Sequence, residues 1–150
     1  MDDISKILNK AHERGQQLGL PYAGALLPAE AHAVMKAVPG AHLVDVRTRA
    51  EWDFVGRVPG SLLIEWQTYP NSQPNPSFLE ELRARAGESD VLMFLCRSGA
   101  RSHSAASAAT NIGYSKSYNI LQGFEGDKDP NGHRASVGGW QFAGLPWVQS

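Results

Sequence analysis

The stretch Val91-Leu92-Met93-Phe94-Leu95-Cys96-Arg97-Ser98-Gly99-Ala100-Arg101-Ser102 runs from an apolar segment through the only cysteine of the chain into a short polar loop. An uninterrupted apolar run of this length reads as a buried β-strand, and the alanine-rich segment after the loop, Ser104 to Ile112, reads as a helix stopped by Gly113. A strand that empties into a glycine-containing loop at a helix N-terminus sets Cys96 among main-chain N–H donors, at the positive end of the helix dipole. Such surroundings favour the thiolate, which is the nucleophilic form. Arg97 and Arg101 add fixed positive charge, suited to both a thiolate and an anionic substrate. A lone cysteine behind Leu, Met and Phe is otherwise a small buried hydrophobe. A core cysteine gains nothing from two arginines and a glycine, however, whereas an anion cradle needs a position without Cβ where the backbone turns inward, and Gly99 supplies it. The pattern predicts group transfer through cysteine, of sulfur or of a phosphoryl group.

Outward from this stretch, strand and helix signals alternate. Ile4, Ile7, Leu8, Ala11 and Leu18 recur at helical spacing, which predicts an amphipathic helix ending near Gly15 or Gly19. Pro28 suits the first turn of a second helix, with Ala29, Ala33, Val34 and Ala37 behind it and Pro39-Gly40 as its stop. Leu43-Val44-Asp45-Val46 reads as a buried strand, and Thr48-Arg49-Ala50-Glu51-Trp52 as a helix start with a capping box. A turn at 56–60, a strand at Ser61-Leu62-Leu63-Ile64, a surface loop from Pro70 to Pro76 and a helix from Ser77 to Ala86 follow, and Ser117-Tyr118-Asn119-Ile120-Leu121 gives a last strand. Residues 123–139 read as a polar loop beyond a strand end. This alternation predicts an α/β fold, a mostly parallel central sheet with helices on both faces, and ligands bound at the carboxyl ends of the strands, where Cys96 falls.

The 150 residues suit one domain, 1–150, with an N-terminal helical extension over 1–22 and a core over 23–150 that contains the loop 96–102. A single cysteine allows no internal disulfide and fits a reducing compartment. His12, His32, His42, His103 and His133 lack ligand spacing, so no metal is expected. With a net charge of −1, neither a nucleic-acid nor a membrane partner is expected. The start Met1-Asp2-Asp3-Ile4-Ser5-Lys6 has no basic or apolar leader segment, which predicts a cytoplasmic protein.

Four segments together resemble the single-domain rhodaneses. Leu43-Val44-Asp45-Val46-Arg47 with Glu51-Trp52 is similar to the first signature of that family, and Gly56-Arg57-Val58-Pro59-Gly60-Ser61 to its Gly-His-Ile-Pro-Gly-Ala turn. Cys96-Arg97-Ser98-Gly99-Ala100-Arg101-Ser102 resembles its active-site loop, and Asn119 to Phe124 with Gly139-Trp140 its closing pattern. The resemblance runs from Leu43 to Trp147 and implies the three-layer rhodanese fold. It also implies a cofactor-free double displacement: Cys96 takes a sulfane sulfur from a small anionic donor such as thiosulfate, holds it as a persulfide, and passes it to a thiol or cyanide, a thioredoxin-like protein among the candidate acceptors. Amides from Arg97 through Ser102, including those of Ser98 and Ala100, would stabilise the anionic persulfide. Arg97 would steer the donor, and Arg101 would be tied down at the loop exit.

Asp45 and Arg47 fall near the site; Arg47 is expected to pair with Glu51 four residues on, and Asp45 to brace the cysteine loop. Trp52, Trp66, Trp140 and Trp147 read as core or rim aromatics. Arg57 stands where the family has histidine, and the lengthened 125–137 segment departs from the common pattern; both are expected to shape the pocket rim. Two other readings compete. A cysteine phosphatase or arsenate reductase would use a similar loop, but with Cys-x-x-x-x-x-Arg spacing, whereas Cys96 to Arg101 is one residue tighter. A regulatory or redox-sensing module on the same fold is the other.

Overall fold

The predicted alternation of strands and helices is present in the computed structural model, which describes residues 3–149. In chain order the elements are α1 (Asp3–Leu18), β1 (Gly24–Leu26), α2 (Pro28–Ala37), β2 (His42–Asp45), α3 (Arg49–Phe54) and β3 (Leu62–Leu63). After them come β4 (Gln67–Thr68), β5 (Gln73–Pro74), α4 (Phe78–Arg85), β6 (Leu92–Leu95), α5 (Ala100–Asn111) and β7 (Ser117–Ile120). The main sheet has five strands in the order β1-β7-β6-β2-β3, all parallel, while β4 and β5 pair as a small antiparallel hairpin that begins ahead of the loop predicted at 70–76 and places β5 within it.

Period-two alternation along the strands sorts the apolar residues into two cores. Val44, Leu92, Phe94 and Cys96 face Phe78 and Leu82 of α4 and Ala105, Ala106 and Ala109 of α5. Leu43, Met93, Leu95 and Ile120 face the opposite way, against Ala11 of α1 and Ala31 and Val34 of α2, with Phe124 and Trp140 sealing that side. The sheet is therefore covered on both faces, as the apolar strands require. Cys96 points to the α4/α5 side.

Strand β1 has no counterpart in the sequence reading. Its three residues show no alternation, and they become extended because β7 offers a free ladder, pairing Gly24 with Tyr118, Ala25 with Asn119 and Leu26 with Ile120. Helix α1 packs Ala11 and partly buried Ile4, Ile7 and Leu8 into the same core as β1's Leu26. Helix α5 starts at Ala100, earlier than the predicted Ser104, because the main chain closes its first turn at the cysteine loop, with the His103 N–H donating to the Gly99 carbonyl at 3.2 Å. The strand predicted over 61–64 narrows to Leu62–Leu63. Among the described residues, no helix is long and apolar enough to cross a membrane.

Candidate active site

Cys96 follows directly on β6, the central strand, so sheet geometry delivers its side chain to the carboxyl end of the sheet. The loop that follows ends at Gly99, the N-cap of α5, whose φ of 121° is a conformation glycine adopts freely. Nothing lies within 4 Å of a Cβ at that position, so the requirement is conformational and not one of space. This turn aims the Gly99 N–H at Cys96 Sγ, 3.1 Å away.

A second polar group reaches the sulfur from α5: Ser102 Oγ lies 3.2 Å from Sγ. Of the amides expected to line the loop from Arg97 through Ser102, that of Gly99 bonds the Cys96 sulfur itself, beside the Ser102 hydroxyl. The N–H groups of Ala100, Arg101 and Ser102 open the first turn of α5, where the helix offers them no acceptor and they point out of its N-terminus. Asn119 on β7 holds this pair in place. Its Nδ2 donates to the Gly99 carbonyl at 3.2 Å, which leaves Oδ1 to accept from Ser102 Oγ at 2.6 Å. The Tyr22 hydroxyl, hydrogen-bonded to His103 Nδ1 at 2.8 Å, also meets the Asn119 side chain.

Ser102 has a single hydroxyl proton. While it points to Asn119 or to the Gly99 carbonyl, the serine oxygen can only accept from the Cys96 thiol, and when the thiol ionises the same proton is free to turn to sulfur. The arrangement therefore serves both protonation states of Cys96. Cys96 itself is 1 % exposed, and its covering loop carries the exposed residues Arg97 and Ala100.

Arg101 closes the loop exit. Its guanidinium makes a bidentate pair with Glu51, at 2.7 and 2.9 Å. Burial alone would lower the Arg101 pKa, but the Glu51 carboxylate outweighs it and the Cys96 and Asp45 charges add to the effect, so the group is held more firmly cationic. Glu51 also accepts from the Thr48 amide and hydroxyl, completing the capping box of α3.

Arg47 does not pair with Glu51. It precedes the N-cap Thr48, so the helical i, i+4 rule does not apply to it, and the extended backbone instead turns its side chain back onto Asp45. That ion pair is fully buried, with contacts of 2.8 and 3.0 Å. Arg47 also donates to the Gly56 carbonyl at 2.7 Å and lies 4.2 Å from the Phe124 ring centre. Asp45 accordingly braces Arg47 and not the cysteine loop. The pair knits the end of β2 to the 56–60 turn, a scaffold role.

A cavity of about 550 Å³ opens beside the cysteine loop, walled by Arg97, Arg101, Glu51, Glu125 and the segment Gln67–Pro70. The lengthened segment contributes to it through Glu125, because main-chain bonds tie Phe124 to the Cys96 carbonyl (2.8 Å) and Glu125 and Gly126 to the Arg97 carbonyl (3.0 and 3.1 Å). Farther out, Asp129 organises the segment by accepting from Asn131, His133 and Ser136. Arg57, expected at the same rim, lies instead beside a separate shallow cavity with Arg49, Trp52 and Asp53. Of the tryptophans, Trp52 and Trp140 are buried and Trp147 is exposed. No cluster of His, Cys, Asp and Glu among the described residues could hold a metal ion.

Glu51, Asn119 and Tyr22 are the site residues that sequence reading missed. In the sequence Glu51 reads as a cap, a signature residue and a partner for Arg47, and Asn119 only as part of a signature, so neither is marked as reaching the cysteine loop.

Comparison with known proteins places this geometry. The model of the Rhodanese-like domain matches residues 27–129. The Uncharacterized protein RP600 homolog of Rickettsia rickettsii is 39% identical over 119 residues, 75% of this chain and 93% of its own length. Among solved structures, Rv0390 from M. tuberculosis superposes with a TM-score of 0.79 at 44% identity, over 86% of this chain and 99% of that one. The polysulfide-sulfur transferase homodimer from Wolinella succinogenes shares the fold at 20% identity and a TM-score of 0.57, covering 99% of this chain and 95% of that one. With its cysteine loop at the end of the central strand and inside the matched span, the chain belongs to the family of rhodanese-like domains.

Proposed function

We propose that the protein is a sulfurtransferase that carries sulfane sulfur as a persulfide on Cys96. The observation that carries this reading is the pair of polar groups on Cys96 Sγ, the Gly99 amide donating at 3.1 Å and the Ser102 hydroxyl at 3.2 Å, at the N-terminus of α5. In the first half-reaction the Cys96 thiolate attacks the outer sulfur of a donor such as thiosulfate. The sulfur–sulfur bond of the donor breaks, and sulfite leaves with the electron pair. In the second, an acceptor thiolate or cyanide attacks the outer sulfur of the persulfide and Cys96 departs as thiolate. Neither step calls on a metal or an organic cofactor. Exposed Arg97 would draw in the anionic donor, and a thiol, free or on a thioredoxin-like protein, would be the acceptor.

Two features weigh against a phosphatase. The Cys-x-x-x-x-Arg loop is a residue short of the phosphate-sized ring, and the Arg101 fork is already engaged by the Glu51 carboxylate, with which a phosphate would have to compete.

Incubation with thiosulfate followed by intact mass measurement tests the reading. A gain of one sulfur atom, absent in Cys96→Ser, is expected. Hydrolysis of an aryl phosphate without any sulfur gain would replace the sulfurtransferase reading with the phosphatase one.

A further inference from the structure

We infer that Tyr22 and His103 are positioning residues that act through Asn119 and Ser102 to hold Cys96 in its thiol form between turnovers, an inference that rests on the reading of Cys96 as the nucleophile and adds the groups that set its resting state.

Four side chains lead from the sulfur to the surface. Ser102 Oγ lies 3.2 Å from Cys96 Sγ and 2.6 Å from Asn119 Oδ1. Asn119 Nδ2 donates to the Gly99 carbonyl at 3.2 Å, and the same side chain bonds the Tyr22 hydroxyl, itself 2.8 Å from His103 Nδ1. Ser102, Asn119 and Tyr22 are buried, and His103 is exposed.

The direction of this chain follows from what each group can donate. The Gly99 carbonyl only accepts, which fixes Nδ2 on its side and turns Oδ1 to Ser102. With Oδ1 committed, Asn119 meets Tyr22 through its second Nδ2 proton. Burial raises the Tyr22 pKa and the Asn119 bond opposes that rise, the sign of a donor on the phenolic oxygen. The Tyr22 proton therefore goes to His103 Nδ1, and every proton in the chain points away from the sulfur.

Three acceptors compete for the single Ser102 proton: Asn119 Oδ1 at 2.6 Å, the Gly99 carbonyl at 3.1 Å and Cys96 Sγ at 3.2 Å. The two lone pairs of the carbonyl are already met by the His103 N–H and Asn119 Nδ2, both at 3.2 Å. Asn119 Oδ1 is strengthened as an acceptor because its own amide protons donate onward, each bond polarising the next. The proton accordingly rests on Asn119, the serine oxygen accepts from the thiol, and the neutral form of Cys96 is favoured. Because the thiolate is the form that oxidants attack, a resting thiol guards the nucleophile. Tyr22 precedes the matched span 27–129, so this hold on the cysteine is supplied by the segment ahead of the domain.

The test reads the thiolate-to-thiol ratio of Cys96 near neutral pH from the ultraviolet absorbance of the thiolate, each variant blanked against the same variant carrying Cys96→Ser. Tyr22→Phe cuts the chain after Asn119 and is expected to raise the ratio by about two- to fourfold, the size of lost polarisation on one hydrogen bond beside a charge. His103→Ala, at an exposed position, should raise it in the same direction, and His103→Gln, whose amide oxygen can take the Tyr22 proton, should bring it back toward wild type. In a Ser102→Ala background Tyr22→Phe should change nothing, since the link to the sulfur is gone. An unchanged or lowered ratio in Tyr22→Phe, or the same change with and without Ser102, would overturn the inference. The readout needs no sulfur transfer: a protein that shows this cycle yet gains no sulfur from thiosulfate would keep the hold on Cys96 and defeat the sulfurtransferase reading instead.

Discussion

Arg101 and Glu51, fifty positions apart, meet as a bidentate pair in which the carboxylate also caps α3 through Thr48. One side chain thus fastens the cysteine loop and the corner after β2 together. Glu51→Ala is expected to lose roughly 2–4 kcal/mol in urea unfolding, the sum of a lost cap and a half-buried guanidinium left without its partner. Glu51→Gln, which keeps an acceptor for the cap, should lose less.

The same residue sets an acid limit. Burial by itself would raise the Glu51 pKa, but hydrogen bonding and charge from Arg101, the Thr48 amide and the Arg47 charge together bring it below its ordinary 4.5. Because the folded value is the lower one, the contribution is complete above about 4.5 and is lost as pH falls through the folded value. Unfolding free energy measured across pH 7 to 3 should therefore fall more steeply in the wild type than in Glu51→Gln; parallel curves would contradict the assignment.

Ser102 has one proton to share between Asn119 and the sulfur of Cys96, at 2.6 and 3.2 Å. Ser102→Ala should lower the rate of persulfide formation by about 10-fold to 100-fold, as expected when one preorganised donor to a developing anion is removed. Its circular dichroism should be unchanged. Full activity in this variant would mean that Gly99 alone suffices.

At Gly123, φ is +66°, and a Cβ would sit 2.5 Å from the carbonyl oxygens of both Cys96 and Arg97. Gly123→Ala must push the cysteine loop outward or strain its own backbone. The expected cost is roughly 2–4 kcal/mol, read as a lowered thermal midpoint, together with slower loading from thiosulfate.

Tyr22, ahead of β1 and outside the matched domain span, supports Asn119 and bonds His103. Tyr22→Phe removes the hydroxyl and keeps the ring in the core. A loss of about 1 kcal/mol in urea unfolding is expected.

Much of this was legible in the sequence because the deciding signals are local. The apolar run before Cys96, the proline at the start of α2 and the Thr48/Glu51 capping box each specify their element within a few residues, and alternating elements leave a parallel sheet as the natural outcome. What escaped reading depends on distance along the chain. Glu51 has two roles, and only the one confined to its own helix shows in sequence. Arg47 looks like a helix partner of Glu51 until Thr48 is known to be the N-cap, which puts Arg47 on extended backbone facing Asp45. Strand β1 is too short to carry a pattern, and it exists because β7 has a side to fill. Arg57 sits in a recognisable turn, yet nothing in that turn says that the chain end at Val148 will pair with it and carry it away from the cysteine cavity.

The pairing of β1 with β7 bears on how the protein can be cut. A fragment trimmed to 27–129 would keep the cysteine and both arginines of its loop, but it would discard Gly24–Leu26 and the buried Trp140. The Ser117 carbonyl and the Leu121 N–H, which bond Ala23 and Leu26, would then face solvent along an open strand edge, a template for another copy. Such a fragment invites aggregation by strand addition, so the segment ahead of the matched domain works as the chain's own protection against self-association.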